Sequence, residues 1–385
     1  MKIVVAPDSF KGTYNAEQVS RAMAEGIHDA VPGAEVVLRP MADGGEGSLE
    51  AVLGAMRAER ITVDTADSYG RPITAAYGFQ QGTAWVELAQ ASGLQFLDTR
   101  LDAPARNRAA LGASTWGTGI QLRQALQRGA SRVFLMIGGS GTTDGGWGLL
   151  AVLGARCMDS QGNLLAGEDA RNMGRVHRIE NLRAVRALLQ DVSLVVATDV
   201  SNPLCGPAGA AWVYGPQKGL SPDGVRMRDA ELEHWGKLLT QAAGVPETVM
   251  ILAGMGAAGG AAFPLKVLAP TMRVVRGAVL VAESIGLEAA IRDADLVLTG
   301  EGATDAQTME GKVPLTVLQL GRQYDKRCAV VSGRLGDGYQ RLAEMCPVHF
   351  EQASPAGASL EDIQANGLIW IAQAAARAVQ AITAE

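Results

Sequence analysis

Seven carboxylates and three lysines stand in or beside glycine-rich segments of this 385-residue chain. Asp8 follows the apolar run 3–6. Asp43 and Glu46 sit in DGGEG, Asp144 in GGSGTTDGG and Asp199 in ATDVSNP. Glu301 and Asp305 come just after the run DLVLT, which ends at Thr299, and Lys11, Lys218 and Lys312 neighbour these segments. A carboxylate at a strand end can hold Mg2+ while a substrate phosphate completes the shell, or accept a proton from an alcohol. It can equally cap a helix or close an Asx-turn. For Asp144 the two readings balance. For Glu301 and Asp305 the ligand reading is stronger, because open α/β sheets bind ligands beyond the carboxyl ends of their strands. A lysine beside such a loop meets phosphate as a point charge, or else is an ordinary solvated side chain.

Glycine supplies the loops. Of 47 glycines, nearly half fall in six short segments: 44–47, 117–119, 138–148, 206–219, 254–260 and 300–311. Such loops let backbone N–H groups approach an anion closely. No Walker-A pattern exists. Gly254-Met-Gly256-Ala-Ala-Gly259 does match G-x-G-x-x-G, follows the apolar run 249–253 and precedes Glu283 at the end of the run 279–282. That motif means dinucleotide binding only in a strand–turn–helix context, and Pro264 interrupts the helix it would open. A nicotinamide-dependent oxidoreductase of a small hydroxy acid is therefore the second reading, and a non-catalytic small-molecule binding protein the third. Ser140 and Ser332 lack a nucleophile elbow. Cysteines 157, 205, 328 and 346 form no C-x-x-C pair, and the four histidines are scattered, so neither a hydrolase triad nor a zinc site is expected. Phosphoryl transfer fits what remains, since it needs positioning, cations, Mg2+ and one base rather than a covalent nucleophile.

The elements that must position these groups read as an α/β fold. The first 57 residues alternate β-α-β-α: runs 3–6 and 35–38 as strands, a helix opened by a capping-box pattern at Asn15 and Gln18, and a second helix ending near Met56. The last third repeats the rhythm, with strands at 295–299, 328–332 and 348–350, helices at 313–322 and 342–345, and a closing helix from Leu360 to about Thr383. Between them, 60–64, 73–79 and 84–88 are short strands with no room for helices, hence antiparallel or mixed. Then come a helix near 120–127, strands at 133–137 and 194–197, and a helix near 230–239. The expected architecture is a Rossmann-like parallel-sheet domain from both chain ends, 1–65 and 286–385, with an inserted mixed-sheet α/β domain at 66–285 and a cleft between them.

Composition excludes other classes. Hydrophobic residues at 48% and charged residues at 19% describe a folded globular chain. A net charge of −6 and no basic block argue against nucleic acid and anionic membranes as partners. The opening MKIVVAPDSF is too short an apolar run for a signal sequence, and no run of 18 apolar residues exists, so a cytoplasmic protein is expected. A homodimer is compatible with the composition.

At these same loops the chain resembles the bacterial glycerate kinase family of the glycerate 2-kinase type. The stretches that carry the resemblance are APDSFKGT, MADGGEGS, ELAQASGL, IGGSGTTDGG, ATDVSNPLCGPAGA, YGPQKG, GAAGG and ADLVLTGEGATDAQTMEGKVP, in order through essentially the whole chain. The resemblance implies ATP- and Mg2+-dependent phosphorylation of D-glycerate, with 2-phosphoglycerate favoured over 3-phosphoglycerate. On that footing Asp199 or Asp8 is the general base, with Lys11 beside it. Asp43, Glu46, Glu301, Asp305 and Lys312 bind substrate. Gly138, Gly139, Ser140, Gly141, Asp144, Lys218, Gly256, Gly259 and Gly260 bind nucleotide, and Asp199, Glu301 and Asp305 hold the metal. Two positions depart from the family pattern: Ala303 and Trp116 stand where it carries arginine. A guanidinium contact is not replaced by a methyl group, so a kinase of a related hydroxy acid is a further alternative.

Overall fold

The computed structural model describes residues 1–45, 47–345 and 347–384. Glu46 and Cys346, named above, lie outside the described residues. Among the described residues the strands are β1 (Lys2–Val5), β2 (Glu35–Leu38), β3 (Glu59–Ala66), β4 (Pro72–Gln80), β5 (Thr83–Glu87), β6 (Arg132–Met136), β7 (Arg156–Met158), β8 (Arg178–Glu180), β9 (Ser193–Ala197), β10 (Arg273–Val275), β11 (Leu296–Thr304), β12 (Arg327–Leu335) and β13 (Val348–Gln352). The chain divides into two compact units, one of residues 1–43, 50–58 and 276–385, the other of residues 44–49 and 59–275.

The first unit is built on a parallel sheet in the order β13-β12-β11-β1-β2. A parallel sheet is covered on both faces, so its inner strands are continuous apolar runs rather than alternating ones. Ile3, Val4, Val5, Leu296, Val297 and Leu298 are accordingly all sealed from solvent. One layer over this sheet is formed by the helices Ala16–Ala30 and Leu360–Ala384, whose Val19, Met23, Ile27, Ile371, Ala375 and Val379 share its core. The first of these helices starts as its sequence dictates. The Asn15 side chain accepts the Gln18 N–H at 2.9 Å and the Gln18 side chain returns the bond at 3.0 Å. Gly26 permits close approach: a Cβ there would stand 1.8 Å from the Ala372 carbonyl oxygen.

The second unit carries a mixed sheet in the order β10-β9-β6-β5-β4-β3. Strands β3, β4 and β5 are antiparallel, as their short connections require, and β5, β6, β9 and β10 are parallel. Its core includes Trp147 and Trp235, fully buried and edge-to-face at 5.5 Å. The α/β class with one parallel and one mixed sheet is thus the expected one.

Several elements differ from expectation. β11 runs past Thr299 to Thr304, because its edge pairs with β12 through Thr304 and Leu335. The helix expected at 342–345 is a 3-10 turn, Tyr339–Glu344, that buries Leu342 alone and has no apolar stripe to extend it. The run 249–253 is no strand: most of it lies in the 3-10 turn Glu247–Ile251, and the run 279–282 lies inside the helix Gly277–Ser284. The dinucleotide reading of Gly254, Gly256 and Gly259 therefore loses the βαβ context on which it depends. No helix among the described residues is long and apolar enough to cross a membrane.

Candidate active site

In the first unit a cavity of about 470 Å³ opens at the carboxyl ends of β1, β11 and β12. Its charged lining is Asp8, Lys11, Asp43, Glu301, Lys312 and Arg334. Sheet order explains the gathering. β1 and β11 are adjacent and parallel, so the residues that follow β1 emerge beside the end of β11 although almost the whole chain separates them. The ladder continues past β1: the Ala6 N–H donates to the Leu298 carbonyl and the Asp8 N–H to the Gly300 carbonyl, both at 2.8 Å. Asp8 is thereby pinned next to Glu301. The Met41 N–H donates to the Pro7 carbonyl at 2.9 Å, which brings the segment after β2, and with it Asp43, to the same place.

Asp8 is 6% exposed. Burial, the neighbouring charge of Asp43 and that of Glu301 push its carboxyl up to about 7, against the opposing pull of the Ser9 N–H and the Lys11 ammonium. The Ser9 N–H bond is 2.7 Å long. Lys11 Nζ donates to Asp43 Oδ2 at 2.7 Å. Burial draws the Lys11 ammonium down, but the hydrogen bond and charge of Asp43, with Asp8 and Glu301 behind it, outweigh burial and hold it above the usual lysine range. Burial raises the Glu301 carboxyl, opposed by the Thr308 hydroxyl and the charge of Lys312. Thr308 Oγ1 donates to Glu301 Oε1 at 2.6 Å, and Lys312 Nζ stands 3.8 Å from Glu301 Oε2. The result is a buried carboxyl that changes charge near neutrality, flanked by ion-paired lysines and at the wall of the cavity. That is the equipment of a general base.

The other expected site residues are placed differently. Asp305 caps the turn Ala306–Glu310, its Oδ1 accepting the Gln307 N–H at 2.8 Å, and it does not line the cavity. Asp199 lies exposed just beyond β9 in the second unit. Asp199 belongs to the second unit and Glu301 and Asp305 to the first, and among the described residues no group of three or more His, Cys, Asp or Glu side chains could hold a metal ion. Asp144 is fully buried. Its Oδ2 accepts Thr115 N and Thr115 Oγ1 at 2.8 Å and Gly148 N at 3.1 Å, and its Oδ1 accepts Gly146 N at 3.2 Å. Burial still raises its carboxyl, while its oxygens tie its own loop, through an Asx-turn to Gly146 and a bond to Gly148, to Thr115.

The glycine loops of the second unit are largely closed on one another. Gly138 N–H donates to Gly44 O, Gly141 N–H to Ser92 O and Gly256 N–H to Asn202 O, so these three amides are not free for a phosphate. The Gly259 carbonyl accepts the Gly145 N–H at 2.8 Å, and a Cβ on Gly259 would stand 2.1 Å from Thr142 O. Loop 254–260 thus braces loop 138–146. Lys218 is buried beneath the latter, donating to Ser140 Oγ at 2.8 Å and Thr142 O at 2.7 Å. Burial lowers its ammonium to about 7, against the pull of Asp144. Gly139, Ser140 and Gly260 belong to the same braced loops. Trp116, the second departure from the family pattern, begins the helix Trp116–Gln127 and packs on Gly167.

Sequence reasoning missed Arg334 and the small-residue wall Ala356, Gly357 and Ala358. Arg334 had a readable signal: it lies just past the apolar run 328–332, the strand-end position that singled out Glu301. The wall had none, being an ordinary turn until β13 carries it to the cavity.

The sequence model of the glycerate kinase family matches residues 3–383. The chain belongs to the glycerate kinase family. That is a family of phosphotransferases acting on a hydroxyl group of glycerate. The chain is 38% identical over 344 residues to a glycerate kinase of Halalkalibacterium halodurans, covering 89% of this chain and 88% of that one. It is 36% identical over 339 residues to the glycerate 2-kinase of Escherichia coli K12, covering 88% and 86%. A crystal structure of a protein assigned to glycerate kinase 2, from Salmonella typhimurium LT2, superposes with a TM-score of 0.87 at 34% identity, covering 100% of this chain and 98% of that one. The cavity at β1, β11 and β12 brings together residues of the segments APDSFKGT and TGEG, two of those on which the resemblance rests.

Proposed function

We propose that this chain phosphorylates D-glycerate with a nucleoside triphosphate, ATP, as donor, and that Asp8 is the general base. The observation that carries the assignment is the raised carboxyl of Asp8 at the wall of a cavity fit for a small ligand. A base poised near 7 accepts a hydroxyl proton without being fully protonated at neutral pH. In the step, the glycerate hydroxyl oxygen bonds to the γ-phosphorus. The bond from that phosphorus to the bridging oxygen breaks, ADP leaves with the electron pair, and the hydroxyl proton passes to Asp8. Lys11 holds Asp43 and offsets the charge of the ionised base, and Lys312 does the same beside Glu301.

No carboxylate cage stands among the described residues. Mg2+ generally keeps several waters and is held by one or two carboxylates with substrate phosphates. The metal is therefore assigned to the nucleotide rather than to a resident site, and no step here depends on it. The 2-hydroxyl is the favoured acceptor, on the likeness to a glycerate 2-kinase.

The test is ADP release with D-glycerate and Mg-ATP across pH 5.5–9, with product identification. For the wild type kcat/KM should rise through about pH 7, because the base works only when ionised. Asp8→Asn should lose roughly 100-fold or more in kcat and flatten that limb. Retention of near-normal turnover with the same pH limb would transfer the role to another group, Asp199 being the next to replace.

A further inference from the structure

Among the described residues, the cavity holds one cation that has no protein partner. Three carboxylates, Asp8, Asp43 and Glu301, face three cations, Lys11, Lys312 and Arg334. Lys11 is bonded to Asp43 at 2.7 Å, and Lys312 stands against Glu301 at 3.8 Å. Arg334 makes no hydrogen bond or ion pair with the other described residues, and its side chain is exposed at the cavity wall. It lies near the end of β12, where its Cα partner across the parallel ladder is Ala303 of β11. Ala303 also lines the cavity and offers only a methyl group, so nothing on the neighbouring strand competes for the guanidinium. Gly302 and Gly333 leave the adjoining wall equally bare.

An anionic ligand entering a chamber with three carboxylates is repelled unless an unspent cation meets it. A guanidinium is the side chain best shaped for a carboxylate, since two parallel N–H groups match its two oxygens. We propose that Arg334 binds the carboxylate of the hydroxy-acid substrate and so sets the specificity of this cavity for acids over neutral polyols. The proposal rests on the glycerate reading above. With the carboxylate held at β12, the substrate hydroxyl reaches toward Asp8 on the far side of β11, because β11 separates β12 from β1 in the sheet. The departure at Ala303 then costs no cation at this wall, as one stands at the paired position of the next strand.

The test compares wild type, Arg334→Met, Arg334→Lys and the relocation variant Ala303→Arg/Arg334→Ala. ADP release is read against D-glycerate, against glycerol and against ATP. Loss of a charged hydrogen-bonded contact predicts a rise in KM for D-glycerate of about 10- to 100-fold in Arg334→Met, with kcat much less affected and KM for ATP unchanged. Arg334→Lys should fall between, keeping the charge but not the fork. The relocation variant should recover most of the loss, and Arg334→Met should lose most of the preference for glycerate over glycerol. Circular dichroism separates these effects from unfolding, and the relocation variant decides the matter if Arg334→Met folds poorly. An unchanged KM for glycerate in Arg334→Met overturns the proposal. So does a rise confined to the KM for ATP, which would assign the guanidinium to a nucleotide phosphate instead. Failure of the wild type to release ADP with D-glycerate overturns the functional reading first, and the proposal with it, before any variant is needed.

Discussion

At the scale of single residues, the chemistry of this protein is set by burial more than by residue type. Asp8 and Asp144 are both aspartates in glycine-bearing segments. Four protein donors satisfy Asp144, while among the described residues Asp8 accepts from Ser9 alone and faces open volume. The raised carboxyl of Asp8 also carries a stability cost with a definite sign. In the unfolded chain the group ionises near 3.8, in the folded chain near 7. Between those values the folded state binds more protons, so its stability falls as pH rises and stays lower above 7. Asp8→Asn removes the buried charge. It should therefore raise the melting temperature relative to wild type at pH 8, by an amount corresponding to about 1–3 kcal/mol, and change it little at pH 4. Paired thermal melts at the two pH values check this. An equal shift at both would show that the gain has nothing to do with ionisation. A more stable but inactive variant is the expected signature of a functional residue held under strain.

At the scale of elements, local signals and packing agree in some places and conflict in others. The helix Ala16–Ala30 was legible because its capping box, apolar spacing and terminal Pro32-Gly33 all point the same way. The 3-10 turn Glu247–Ile251 was not, because a short apolar run has no period that separates strand from buried turn. Helix packing also imposes demands that no local pattern shows. Gly26 lies where the helix Ala16–Ala30 crosses the helix Leu360–Ala384, and any Cβ there collides with the Ala372 backbone. Gly26→Ala should accordingly destabilise by about 1–3 kcal/mol, although alanine is the better helix former. Urea denaturation of this variant measures it; a gain in stability would mean that the helices slide apart at no cost.

At the scale of the whole molecule, the two units carry separate apolar cores. One includes Ile3, Leu298, Val331 and Ile371, the other Leu135, Trp147, Val196 and Trp235. Ile371→Ala should create a cavity costing about 2–4 kcal/mol in the first core. Hydrogen exchange should then speed up for amides of β1, β11 and β12 and stay unchanged for β6 and β9. A uniform loss of protection would show that the units open together.

The sequence by itself determined the α/β class, the antiparallel middle section, the family, and the location of Asp8 just beyond the first strand, whereas Glu301, expected past a strand end, lies inside β11. Those follow from local periodicity, from connection length and from motifs that are contiguous in the chain. Only the tertiary structure decided which strand ends meet. β1 lies between β2 and β11, so Asp8, Asp43 and Glu301 share one wall, and β12 adds Arg334 opposite Ala303. It also decided which polar groups are consumed: Asp144 takes donors from its own loop and from Thr115, Asp305 caps its own turn and Lys218 bonds the 138–146 loop, while among the described residues Arg334 makes no such bond. The reason is physical. Spacing along a chain fixes the face a side chain shares with its near neighbours, but desolvation and pairing depend on groups brought together by parallel crossovers, and those partners lie tens of residues away, as Lys11 and Asp43 do, or hundreds, as Asp8 and Glu301 do.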